Sequence, residues 1–155
     1  MSKEPLGRMY RQLNREYDKL LKSRRTNWGK IELYRNKLAE IEDIMVNRNL
    51  KGIKLEKKGN IEDAVKLYEQ NVADEFDGTH PYNRLAIMYR KKGQIEDEIR
   101  VLKKAIQVFE DISLNRPRGT WSPEFNHRFI EPINEFKKRL KKAKALRDKS
   151  SLNFT

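Results

Sequence analysis

Eight cations, Lys137, Lys138, Arg139, Lys141, Lys142, Lys144, Arg147 and Lys149, fall within thirteen residues near the end of the chain. Lysine and arginine at that density neutralise phosphates and release their counterions, so this segment offers electrostatic capture of a nucleic acid or an acidic protein surface. The same charges also keep a terminal helix soluble, and no aromatic residue is interleaved with them to stack on a base. Reactive chemistry is harder to assemble. The chain has two histidines, His80 and His127, and they do not form the paired motif by which one helix holds zinc. Carboxylates concentrate between Glu62 and Asp77 without the alternating Asp pattern of a calcium loop. Gly52, Gly59 and Gly93 stand singly, not in a loop that cradles phosphate. There is no cysteine, which removes thiolate nucleophiles, disulfides and the common zinc sites. The expectation is a non-enzymatic chain with no catalytic residue, no metal site and no cofactor.

The elements that would position these residues follow from composition and period. Thirty-five Lys and Arg against 23 Asp and Glu among 155 residues give a net charge of +12, and hydrophobic residues make up 37%. That fraction lies below the roughly 45–50% of ordinary globular chains. A thin helical protein accommodates it, because a helix carries charge on its outward faces while burying a narrow apolar stripe. The longest apolar stretch, Leu85 to Tyr89, is far short of the roughly 18 residues that span a membrane. The start, Met1-Ser2-Lys3-Glu4-Pro5, has no apolar signal segment. A cytoplasmic protein with no membrane partner is expected.

An internal repeat organises the middle of the chain. Lys57-Lys58-Gly59-Asn60-Ile61-Glu62-Asp63 recurs as Lys91-Lys92-Gly93-Gln94-Ile95-Glu96-Asp97, an offset of 34 residues with six of seven identical. Apolar positions keep the offset: Leu55 with Tyr89, Val65 with Ile99, Leu67 with Val101, Tyr68 with Leu102. Gly59 and Gly93 fall where a helix must reverse, a place that favours positive φ. Asn60 is expected to cap the next helix, with Glu62 and Asp63 favourable to its dipole.

A 34-residue period with a Lys-Gly turn between two amphipathic helices resembles the tetratricopeptide repeat. Tyr82, Leu85, Ala86 and Tyr89 match the first helix of that signature, and Leu102 and Ala105 the second. The earlier copy keeps Gly52, Leu55, Ala64 and Tyr68 but has Arg48 and Lys51 in place of the bulky residue and leucine, and Glu98 stands where the family has a small residue. The resemblance implies an all-α helical-repeat fold whose first helices line a peptide-binding groove. Carried over residue by residue, that face is Asn49, Ile53, Glu56 and Lys57 in one repeat and Asn83, Arg84, Ile87, Arg90 and Lys91 in the other. Its basic lining implies an acidic peptide or protein surface as the partner.

The flanks supply further helices. Leu6, Tyr10, Leu13, Tyr17 and Leu20, then Ile31, Tyr34, Leu38, Ile41 and Met45, are heptad-like stripes that predict a helical hairpin over 1–45. Repeats follow over 45–78 and 79–112, then a loop from Asn115 to Glu124 and a basic capping helix over 123–149, which Pro132 must start or kink. Charge separates along the chain: residues 1–25 hold eight basic and three acidic side chains, 59–79 one and six, and 116–155 eleven and four. The chain therefore reads as one all-α domain, a non-catalytic interaction or adaptor module. The alternative is a nucleic-acid-associated regulatory protein that uses its basic ends, with the six cations from Lys137 to Lys144 as its surface.

Overall fold

In the computed structural model, which describes residues 3–116 and 122–153, five helices come first: α1 (Leu6–Leu21), α2 (Trp28–Lys57), α3 (Ile61–Ala73), α4 (His80–Lys91) and α5 (Ile95–Leu114). A short α6 (Pro123–Phe125), a π-helical segment (Asn126–Ile130) and α7 (Glu131–Leu152) complete it. The fold is all-α, with no strand among the described residues. Most of the expected loop after Asn115, positions 117–121, lies outside the described residues. No described helix is long and apolar enough to cross a membrane. The chain divides into two units between Phe76 and Asp77.

In the first unit α2 packs against both α1 and α3. At 30 residues it is one helix, so the second arm of the N-terminal hairpin runs without a break into the helix before Gly59. Its first half buries Ile31, Leu38, Ile41 and Met45, whereas the α1 stripe of Tyr10, Leu13, Tyr17 and Leu20 stays half-exposed. The turn between them is held by Asn27, whose side chain accepts the Lys30 N–H at 3.1 Å as an N-cap. Below it the Tyr34 hydroxyl donates to Glu16 at 2.8 Å. That hydrogen bond holds the Tyr34 phenol above its ordinary pKa. In the second half of α2, Gly52 lies against Tyr68, and a Cβ there would sit 2.6 Å from the ring.

The two copies of the turn fold alike. Gly59 and Gly93 take φ of +82° and +72°, letting the next N–H turn back to close the helix: Asn60 onto Leu55 O at 2.9 Å, Gln94 onto Tyr89 O at 2.8 Å. Asn60 does not cap with its side chain. Its φ of −81° and ψ of 66° depart from the extended geometry that aims a capping side chain at the helix start, and its carbonyl opens α3 by accepting from Ala64 at 3.2 Å. Gln94 serves α5 in the same way.

The second unit is held by aromatic rings. Tyr82 on α4, Phe109 on α5 and Phe136 on α7 are fully buried or nearly so, with ring centroids 5.7–6.2 Å apart in edge-on pairs. Phe129 extends the cluster from the π-helical segment, 6.2 Å from Phe109. Ser122 restarts the chain by accepting the Phe125 N–H at 3.1 Å, with Pro123 in the first turn. Pro132 is also in a first turn, that of α7. It has no N–H to donate, and the widened π turn before it replaces the regular ladder that the proline interrupts.

Candidate functional site

The residues expected to face a ligand divide between α2 and α4, and several serve the fold. On α2, Asn49 accepts from Asn71 Nδ2 at 2.9 Å. Asn71 is fully buried and also donates to Met45 O at 2.8 Å. Glu56 accepts the Tyr68 hydroxyl at 2.8 Å. Ile53 is half-buried and Lys57 exposed. Beside them Val46 and Leu50 are 37% and 52% exposed. Positions 46, 50, 53 and 57 recur at helical spacing, so the outer side of α2 carries a partly exposed apolar stripe with Lys54 and Lys57 at its end.

On α4 the charges are more committed. Arg90 grips Glu98 with two nitrogens, Nη2 at 2.7 Å and Nε at 3.0 Å, and the Glu98 side chain is only 2% exposed. This accounts for a glutamate where the repeat pattern has a small residue: a carboxylate can be buried there because a guanidinium pairs with it. Asn83 accepts from Arg139 of α7. Arg84 is half-buried, and Ile87 and Lys91 are exposed. Of the α4 set, then, Ile87 and Lys91 are the residues that stand clear of the fold.

The basic face of α7 is also thinner than its sequence. Lys137 pairs with Glu110 at 3.0 Å and Lys138 with Glu135 at 3.2 Å. Arg139 is drawn inward, where burial lowers its pKa, partly offset by Glu98. Lys144 is half-buried, and Arg147 lies 3.8 Å from Glu96 and 3.3 Å from Asp148. Lys141 and Lys142 remain exposed without an ion pair among the described residues.

Other features carry no mark in the sequence. At the end of α3, Glu75 has φ of +55°, a left-handed conformation uncommon outside glycine. Its carboxylate is 3% exposed and takes Arg8 at 2.6 and 3.2 Å, while its carbonyl accepts from Arg11 at 2.9 Å. Asp74 accepts the Leu6 N–H at 3.1 Å with its side chain and the Gly7 N–H at 2.7 Å with its carbonyl; Arg48 binds its other carboxylate oxygen. Gly7 is required there, since a Cβ would collide with the Glu75 carbonyl. The start of α1 is thus fastened to the end of α3 by Arg8, Arg11 and two acids, and Arg48 ties α2 to the same end.

In the second unit an open cleft of about 750 Å³ is rimmed by Asp77, Glu124, Glu131 and Glu135, with His127 and Arg128 among them. His127 Nδ1 is 2.8 Å from Glu131, and Arg128 lies 3.4 Å from Asp77. Its rim is acidic, the wrong sign for an acidic partner, and no group of His or carboxylates among the described residues is arranged to hold a metal. The α2 stripe and the unpaired cations of α7 are the candidate chemistry among the described residues. No family model, curated protein or solved structure matches the chain, so that chemistry is read from its own residues.

Proposed function

We propose that the chain is a non-catalytic, tetratricopeptide-like interaction module that binds an acidic amphipathic peptide or protein segment along α2. The observation that carries this is the partly exposed stripe of Val46, Leu50 and half-buried Ile53 ending in Lys54 and Lys57. An apolar row edged by cations suits a partner helix or strand with leucine-like anchors and carboxylates beside them, the anchors supplying affinity and the charges orientation. The α4 residues 34 positions on, Ile87 and Lys91, repeat the Ile53 and Lys57 pair and are exposed, as Lys57 is. A cytoplasmic setting belongs to the proposal and rests on the cysteine-free composition.

Display of a random peptide library on the folded chain tests it. Enriched peptides should carry net negative charge and apolar anchors, and Leu50→Glu should weaken them by at least about tenfold, as loss of a central anchor does. Enrichment of neutral or basic peptides, or equal capture by a Leu50→Glu variant of unchanged helicity, would refute the proposal. Arg90 is unsuited to such a test, because reversing its charge strands the buried Glu98.

A further inference from the structure

Residues 21–30 form the longest uninterrupted exposed run among the described residues, joining α1 to α2. Lys22, Arg24, Arg25 and Lys30 lie within it and no acid does. None of the four has an ion pair among the described residues, in contrast to the paired cations of α7. Trp28 stands in the same run with 72% of its surface exposed and no ring contact. The turn is nevertheless fixed from below by the Asn27 cap and the Tyr34 to Glu16 hydrogen bond. A rigid base therefore presents an unpaired indole among unneutralised cations.

We infer that this turn binds single-stranded nucleic acid, with Trp28 stacking on an unpaired base and Lys22, Arg24, Arg25 and Lys30 contacting phosphates. Base stacking needs one open ring flanked by cations, and guanidinium groups match phosphate oxygens two at a time. An anionic bilayer would supply phosphates too, but surface insertion needs a continuous apolar face. Here only Leu21 and Trp28 among the ten residues are large and apolar. The site uses different residues and a different partner from the α2 stripe, so it goes beyond the peptide reading and survives or fails separately.

The probe is a short labelled oligo(dT) or oligo(U), followed by anisotropy and by tryptophan emission in a Trp121→Phe background that leaves Trp28 as the sole reporter. Binding should quench Trp28 and favour the single strand over a duplex of the same sequence. Trp28→Ala should weaken it roughly five- to hundredfold, and Trp28→Phe should restore much of the loss. Log affinity should fall with log salt at a slope of about −3 for four phosphates, flattening to about −1.4 in Arg24→Gln/Arg25→Gln. Circular dichroism of each variant should be unchanged. Lys141→Gln/Lys142→Gln should leave affinity and slope nearly as they were. Any of four results overturns the inference: no binding at low salt, unquenched Trp28 at saturation, equal affinity for duplex, or loss of binding in the α7 variant instead. Tighter binding to phosphatidylserine vesicles than to oligonucleotide, with blue-shifted Trp28 emission, would also overturn it and assign the turn to a membrane surface.

Discussion

The two helical pairs on either side of Phe76 share a turn sequence and a backbone solution yet stabilise it by opposite means. In the first, Arg48, Asn71, Asp74 and Glu75 make a part-buried polar network with Arg8 and Arg11. The residues 34 positions later are Tyr82, Ala105, Val108 and Phe109, which are buried, with the Tyr82 and Phe109 rings edge-on to Phe136. Closer to the turn the exchange runs the other way. Gly52, Glu56, Ala64 and Tyr68 correspond to Ala86, Arg90, Glu98 and Leu102, so the first pair fills its crossing with a tyrosine against a glycine and the second with a smaller leucine against an alanine. The lesson is that the helical period and the glycine turn dictate the hairpin, while the means of holding its far end is interchangeable provided every buried polar group finds a partner. In the first pair Val46 and Leu50 of α2 and the α1–α2 turn stay exposed.

The contrast can be broken most severely in the aromatic pair. Phe136→Ala removes a ring shared by Tyr82 and Phe109 and should cost about 3–5 kcal/mol, read as a fall in the urea midpoint and as lost hydrogen-exchange protection in α4, α5 and α7. The polar counterpart is Glu75→Ala, which leaves Arg11 without its buried acid and should cost about 3 kcal/mol. Protection should fall at the start of α1 and the end of α3. A loss below about 1 kcal/mol would mean that Arg8 and Arg11 turn to solvent once the acid is gone, so that no charge is left stranded.

Gly52→Ala sharpens the comparison of the two crossings. Overpacking against Tyr68 should cost about 1–3 kcal/mol, and adding Tyr68→Leu, the combination present at Ala86 and Leu102, should return part of it in a double-mutant cycle. Purely additive losses would show that the two positions do not compensate. Smaller still is the Tyr34 to Glu16 bond. Because its folded pKa is raised from 10.0, the stability it contributes is complete below the unfolded value and is lost as pH rises through the folded one. Absorbance titrations of the wild type and Tyr34→Phe should differ by one tyrosine that ionises above the ordinary value. Least of all, Lys138→Gln should move stability by no more than about 0.5 kcal/mol, as its partner Glu135 is equally exposed. A larger effect would give the α7 pairs a structural weight that their exposure argues against.

Helices were legible in the sequence because their cause is local. The 3.6-residue period of Ile31, Leu38, Ile41 and Met45, and glycines at 59 and 93, act within one or two turns of chain and need no distant partner. Exposure was legible for the same reason at Lys57, Ile87 and Lys91, which lie on outward helix faces, whereas Ile53 is half-buried. What a charge does was not. Arg90 and Arg139 read as ligand-facing cations, yet one neutralises Glu98 and the other reaches Asn83, 56 residues earlier. Arg8 and Glu75 are separated by 67 residues, and no spacing rule joins them. A side chain's pKa, its pairing and its availability depend on what the folded chain brings within a few ångströms, because Coulomb attraction and desolvation are set by distance in space. The sequence alone thus determined where the chain is helical and where it must turn, whereas only tertiary packing decided which cations among the described residues are spent on the fold and which, as at Arg24 and Arg25, carry no ion pair.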